Sequence, residues 1–408
     1  MMRTLVEDRN PKDLSSRSVV RKADSVNRIP VTSPASVAVF RRILTHGPLG
    51  RVDISRATGL SQAAVTKAVT PLLGAGFVVE TEERAAPSIG RPVSPLAVAR
   101  DRAHIIGIKV TAERTYGVLT DLGATVLART DELNASAAVD DVVHAVGLVV
   151  DTLRSGSTAT VDGIGVAVSG DVDRESGIVR DSPLLGWRGV PLVSILKESL
   201  GIPTILENDV RALTTTEVLF GSGRDADSFA VITIGTGIGC GLYLNGRIVQ
   251  GAHGVSGEIG HLPLAPRDAL CSCGRRGCVE AVASTAAILT DVRAGHADAS
   301  LTIEDAFTLA HADDPVARAA FEQAGGVIGA ALAALVNLTG PELVVIAGEN
   351  VTEYGLYEER LRETFAEHAF GAAGDCTIVL RPHVFDDWAR GAAACVIEVI
   401  AGGIAAHG

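Results

Sequence analysis

A chain of 408 residues is too long for one ordinary core and implies two or three packed units. Its 47% hydrophobic and 21% charged residues exclude a disordered chain. No uninterrupted apolar run suggests a membrane span, and the polar N-terminus lacks the apolar segment of a secretory leader, so a cytoplasmic protein with no membrane partner is expected.

The net charge of -12 is unevenly spread. Through Arg102 there are 16 Lys and Arg against 9 Asp and Glu, or +7, which leaves 20 against 39, or -19. A basic N-terminal quarter on an acidic body fits a nucleic-acid-binding head, because phosphate neutralisation supplies most non-specific affinity. An ordinary surface with uneven charge is the alternative. Residues 1–34, rich in Ser, Arg and Asp without apolar periodicity, predict a flexible basic arm.

Residues 35–100 predict a DNA-binding domain. Val37, Val39, Phe40, Ile43 and Leu44 recur at helical spacing before His46-Gly47-Pro48, and a short helix over about Val52 to Thr58 ends at Gly59. Ser61 is a natural N-cap for a third helix with Val65, Val69, Leu72 and Leu73 on one face. Pro71 should kink that helix and shorten it. Phe77 to Glu80 and Val93 to Val98 then read as a two-stranded hairpin, and three helices plus a hairpin make a winged helix-turn-helix. The face of the third helix opposite its apolar set carries Ser61, Gln62, Ala63, Thr66 and Lys67. Gln62 suits paired hydrogen bonds to adenine and Ser61, Thr66 and Lys67 suit phosphates, while Arg91, in Gly90-Arg91-Pro92, could enter a minor groove from the wing. A protein-binding winged helix is the alternative.

From 103 to 408 strands and helices alternate. Strands are expected at His104–Val110, Tyr116–Asp121, Val161–Ser169, Thr204–Leu206, Phe229–Ile234, Leu343–Ala347 and Thr377–Leu380. Helices are expected near Asp140–Leu153, Val210–Phe220, Val279–Arg293, Pro315–Asn337 and Ala389–Ala401. This is an α/β pattern, and about 300 residues divide into two lobes around a cleft.

Three of the six cysteines fall within eight residues: Cys271, Cys273 and Cys278. With His261 they offer one imidazole and three thiolates, enough to close a tetrahedral zinc shell with no position left for water, hence a structural Zn2+. Reactive or buried cysteines are the alternative. Together with Gly257-Glu258-Ile259-Gly260-His261, Ile234-Gly-Thr-Gly-Ile-Gly239, Gly251 and Gly254, this segment resembles the signature of the ROK family, which groups repressors, open reading frames and sugar kinases. The resemblance covers nearly the whole chain. It implies a two-lobed sugar-kinase-like domain of the actin-like ATPase/ribonuclease H-like type, zinc on His261, Cys271, Cys273 and Cys278, and a hexose held by Asn208, Asp209, Glu258, His261 and Glu280.

Converging carboxylates and an amide suit neighbouring sugar hydroxyls, although an Asn-Asp pair is more often a helix cap. In a family kinase Asp209 would be the general base. Family kinases resemble Asp-x-Gly-Gly-Thr in the first strand, where this chain has Lys109-Val-Thr-Ala-Glu113, and Ala347-Gly-Glu-Asn350 departs from their second glycine pair. Bulky and acidic residues oppose phosphate wrapping, so ATP binding is expected to be lost. The expectation is a transcriptional regulator, a repressor of carbohydrate genes that binds a double-stranded operator as a homodimer or homotetramer with a monosaccharide or derivative as effector. The alternatives are an ATP-dependent sugar kinase with an appended DNA-binding head, and a protein scaffold.

Overall fold

A computed structural model describes residues 29–31, 33–81, 94–156, 160–382 and 384–402. Most of the expected basic arm, and Arg91 with residues 82–93 around it, lie outside the described residues. The head opens with α1 (Pro34–His46), where Ser33 caps by accepting a bond from Ser36 N at 3.2 Å and Pro34 starts the first turn. After α2 (Arg51–Thr58) the chain turns at Gly59, whose φ of +68° favours glycine. Ser61 then caps α3 (Gln62–Gly74) by accepting from Ala64 N at 3.2 Å. The expected shortening at Pro71 does not occur. Pro71 is exposed and lies in the last turn, where the missing amide removes only one hydrogen bond. Strands β1 (Val78–Glu80) and β2 (Leu96–Val98) pair antiparallel with Val78 opposite Val98, so the second strand begins later than expected.

Two sheets of the same design follow. The first lobe contains β3 (His104–Val110), β4 (Arg114–Thr120), β5 (Val126–Leu133), α4 (Val139–Ser155), β6 (Val161–Val168), β7 (Asp171–Asp173), β8 (Ile178–Ser182), β9 (Trp187–Val190), α5 (Leu192–Leu200), β10 (Thr204–Asn208) and α6 (Asp209–Phe220). Its main sheet runs β5-β4-β3-β6-β10, with β3 to β5 antiparallel and β6 and β10 parallel to β3, while β7 to β9 form a separate small sheet.

The second lobe contains β11 (Phe229–Ile234), β12 (Ile238–Leu244), β13 (Arg247–Ile248), α7 (Glu280–Ala283), α8 (Thr285–His296), α9 (Ile303–His311), α10 (Pro315–Thr339), β14 (Leu343–Ala347), α11 (Gly355–His368), β15 (Thr377–Leu380) and α12 (Phe385–Ile400). The sheet order β13-β12-β11-β14-β15, with β14 and β15 parallel to β11, repeats the first. The single helix expected over Val279–Arg293 is two, because Ser284 is extended and caps α8 through Ala287 N. Helix α10 is long and apolar enough to cross a membrane, yet 67% of its most apolar stretch is buried in the second-lobe core.

Helix α12 starts four residues earlier than expected and returns to the first sheet. It fits because Gly107 of β3 and Gly165 of β6 have no side chain: a Cβ on either would overlap the Ala389 or Ala392 carbonyl. Its last turns bury Val396, Ile397, Ile400 and Ala401 in one core with Val39, Phe40 and Ile43 of α1. The head is also tied to the loop after α6, where His46 Nε2 lies 2.8 Å from Asp225 Oδ1 and Arg224 Nη1 donates to Thr45 O at 3.3 Å.

Gly165→Ala should therefore cost about 3 kcal/mol, the upper range for overpacking a filled interior. Urea denaturation of the full chain checks this, and a loss below about 1 kcal/mol would mean that α12 is not seated this closely.

Candidate functional site

Asn208 and Asp209 stand where β10 ends and α6 begins. Asn208 does cap α6, accepting from Arg211 N at 3.1 Å, and its Nδ2 donates to Gly170 O at 3.0 Å. Asp209 is 6% exposed. Its Oδ2 accepts from Lys109 Nζ at 2.5 Å and from Ser169 Oγ at 2.6 Å, and its Oδ1 accepts from Val210 N at 2.9 Å. Burial works against the charge, but the Lys109 ammonium and these hydrogen bonds outweigh it and hold the carboxyl below its usual range. Lys109 is itself buried, with Nζ 5.3 Å from the centre of the Trp388 ring.

Near this pair, through Glu349, lies the turn between β11 and β12, Gly235-Thr236-Gly237. Ile238 N donates to Glu280 Oε2 at 3.2 Å. The Glu349 carboxylate lies so close to Gly235 that a Cβ there would overlap it. Burial pushes the Glu349 carboxyl up and the nearby Lys109 ammonium opposes that. Glu113, expected where phosphates would lie, is exposed at the β3–β4 turn, which Thr111 closes through Arg114.

The remaining candidates lie in the segment after β13. Gly257 lies against the Cys240 carbonyl at φ +84°, a position closed to any side chain. The Glu258 side chain is 60% exposed, with Oε2 3.9 Å from His261 Nε2; partial desolvation pushes its carboxyl up while His261 counters. Ligand atoms of His261, Cys271, Cys273 and Cys278 all lie within 4.8 Å of one another. His261 Nδ1 is 3.7 Å from Cys271 Sγ, and Cys273 Sγ is 3.8 Å from Cys278 Sγ. Thiolates about 2.3 Å from one tetrahedral ion would lie about 3.8 Å apart, so this set could hold a metal. Burial and the neighbouring thiols push the Cys278 thiol up to about 12, a cost that a bound cation would relieve. Glu280 Oε1 accepts from Ser272 Oγ at 3.3 Å and so joins this cluster to the glycine turn.

The sugar candidates thus fall into two groups, Glu258, His261 and Glu280 around the thiols, and Asn208 with Asp209 at the β10–α6 junction. Arg211 connects them, donating from Nη1 to Gly254 O at 2.7 Å. Sequence reasoning missed Arg211, Ser169 and Arg180, which donates to His253 O at 3.1 Å and Asp173 Oδ2 at 2.8 Å. It noticed Lys109 only as a lost Asp, although a basic residue facing an acidic motif was a signal for pairing. On the head, Ser61, Gln62, Ala63, Thr66 and Lys67 share one exposed face of α3, with the Thr66 hydroxyl donating to Gln62 O at 2.9 Å.

The model of the ROK family matches residues 105–399, which span both lobes. The chain belongs to the ROK family. The ROK chain is 27% identical over 345 residues to the xylose repressor of Bacillus subtilis (strain 168), covering 83% of this chain and 88% of that one. It is 30% identical over 330 residues to the DNA-binding transcriptional dual regulator NagC of Escherichia coli (strain K12), covering 78% and 80%. Among solved structures, a ROK family transcriptional regulator described as a homologue of the E. coli Mlc protein superposes with a TM-score of 0.77 at 28% identity, covering 90% of this chain and 96% of that one. A ROK family glucokinase from Streptomyces griseus, in complex with glucose and AMPPNP, superposes with a TM-score of 0.64 at 25% identity, covering 71% and 98%.

Removing one partner of a buried ion pair strands the other charge. Lys109→Met should therefore cost about 3–5 kcal/mol at neutral pH, and adding Asp209→Asn, which keeps an acceptor for Ser169, should recover at least half. Because the Asp209 carboxyl is held low, its share of stability is complete above the ordinary carboxylate value of about 3.9 and is lost as pH falls through the lowered one. Denaturant midpoints for both variants between neutral and acid pH check this; equal losses in Lys109→Met and in the double variant would show that a stranded Asp209 charge is not what the single substitution costs.

Proposed function

We propose that this ROK chain is a DNA-binding transcriptional repressor of carbohydrate genes whose operator affinity is set by a monosaccharide or derivative in the interlobe cleft, and that it is not a kinase. The Lys109–Asp209 pair carries this reading. A general base must accept a proton from the attacking hydroxyl, and a carboxylate tied to a buried ammonium and held below its usual range is a poor acceptor. Glu349 and Glu280 add negative charge at the glycine turn where a γ-phosphate would need N–H donors. The names of the relatives support the regulatory side, and the glucokinase likeness supports only a shared architecture.

In this reading residues 1–34 are a basic arm, 35–100 a winged helix-turn-helix and 103–408 the sensor. The exposed face of α3 enters the major groove with Gln62 reading a base, and Arg91 reaches the minor groove from the wing. Asn208, Asp209, Glu258, His261 and Glu280 hold the sugar. A structural Zn2+ on His261, Cys271, Cys273 and Cys278 ties down the segment that carries Glu258 and Glu280. The protein works in the cytoplasm as a homodimer or homotetramer, whose two-fold symmetry would match a palindromic operator.

Capture of fragmented genomic DNA on the purified chain, sequenced with and without xylose, glucose and N-acetylglucosamine, should return discrete sites whose recovery changes with one sugar. Gln62→Ala should cost about 1–3 kcal/mol at one base position, whereas Lys67→Ala should weaken all sequences alike and lower the salt slope by about 1. Sequence-indifferent, sugar-insensitive capture together with ATP-dependent phosphorylation of one of these sugars would replace this reading with the kinase one.

Elemental analysis should find one zinc per chain, lost in Cys273→Ser, with faster proteolysis between residues 255 and 280 once the metal is gone. A loop equally resistant with and without zinc would remove the structural role.

A further inference from the structure

A second group of buried charges runs from the cleft towards the head. Arg211 on α6 is fully committed: Nη1 donates to Gly254 O at 2.7 Å, Nη2 to Val172 O at 3.1 Å, and Nε to Glu207 Oε1 at 2.7 Å. Glu207, the last-but-one residue of β10 and 2% exposed, divides its two oxygens between arginines, with Oε2 accepting from Arg174 Nη1 at 3.1 Å. Arg174, just after β7, divides its two amino groups between acids, with Nη2 donating to Glu398 Oε2 at 3.1 Å. Glu398 is 4% exposed and sits on α12 within the turns that share a core with α1. The guanidinium of Arg41, on α1, lies within electrostatic reach of Glu398 and of the buried Tyr243 hydroxyl. At the end of the chain, a Cβ on Gly402 would meet Val37 of α1 at 2.7 Å.

The alternation of bridging acids and bases makes this a stiff chain. Each guanidinium presents donors in a fixed planar fork, and leaving one charge of a buried set unpaired costs about 3–5 kcal/mol. If the loop around Gly254 moves, Arg211 must either follow it or give up bonds to Val172 and Glu207. Movement of Glu207 then obliges Arg174 and Glu398 to follow, because each arginine bridges two partners on different elements. The far end is α12, whose close seat on glycines leaves no slack between the first sheet and α1.

We propose that Arg211, Glu207, Arg174 and Glu398 form the link by which the position of the loop around Gly254 is passed through α12 to α1 of the head, with Arg174 and Glu398 acting as positioning residues that touch neither ligand nor DNA. The proposal deepens the reading of the chain as a ligand-responsive DNA-binding protein and rests on it. Its test uses neither sugar nor DNA, so failure of the link leaves that reading standing.

The test is hydrogen exchange on the full chain, read at amides 37–46 of α1, with β11 as the internal control. Arg211→Lys keeps the charge but loses the fork to Gly254 and Val172, and it should speed exchange in α1 by about threefold or more through local opening. In a Glu398→Gln background the same substitution should add nothing further at α1, a non-additivity that a merely structural role for Glu398 would not produce. If β11 exchange also rises in Glu398→Gln, Arg174→Lys takes its place, since it keeps the charge but cannot bridge both glutamates. Unchanged α1 exchange in Arg211→Lys, or equal acceleration in both backgrounds, overturns the link.

Discussion

The seat of α12 on the first sheet governs how the rest of the molecule fits together. Helices normally pack against a sheet with side chains between them, whereas here Gly107 and Gly165 let the Ala389 and Ala392 carbonyls come directly against β3 and β6. Close approach brings three bodies onto one helix. Its N-terminal half carries Trp388, which covers Lys109 in the cleft. Its middle packs on Ala212 of α6 and Ala167 of β6, and its end completes the core of the head. A helix held off by even one methylene per contact would separate the head from the lobe whose ligand is proposed to control it.

The cleft shows how charge decides what a conserved architecture can do. The two sheets repeat one design, so their arrangement comes with the fold and says little about chemistry by itself. What differs is the sign of a few groups. An ammonium on β3 neutralises Asp209, and two carboxylates lie at the turn where phosphate binding would need bare amides. The residues proposed to hold a sugar are polar and largely acidic, suited to accept hydroxyl protons in hydrogen bonds, whereas the carboxylates beside the glycine turn would repel an anion.

Much of this was legible in the sequence wherever burial imposed a period or chemistry imposed a spacing. The three head helices, β3, β6, β11 and β14 are nearly continuous apolar stretches or clean amphipathic faces, and the His261–Cys278 cluster is a donor set with few other uses. Elements that lie half in water were missed. In β5 the alternation is diluted by Arg129, Asp131 and Glu132 on an edge strand, β7 to β9 are three to five residues long, and α11 buries only Tyr357, Leu361, Thr364 and Phe365 among charged neighbours. The helix expected from Val279 was drawn through Ser284 because the apolar period continues across it; only the cap at Ala287 N reveals the break. Long-range pairing was the least legible. Lys109 and Asp209 are 100 residues apart, and Arg174 and Glu398 are 224 apart, so no local pattern joins them.

That last group matters for how a sensor of this kind can work. A ligand shifts a conformational equilibrium only by the difference in its affinity for the two states, and that difference is often only about 1–3 kcal/mol. A soft connection between cleft and head would dissipate so small a bias in side-chain rearrangement. Buried alternating charges resist such dissipation because every intermediate with a broken pair is costly, so only arrangements that keep all pairs together are populated. The same feature that contributes little net stability, since an apolar set of the same volume could pack as well, therefore restricts the molecule to a few discrete arrangements. A bistable element biased by a weak ligand requires that restriction.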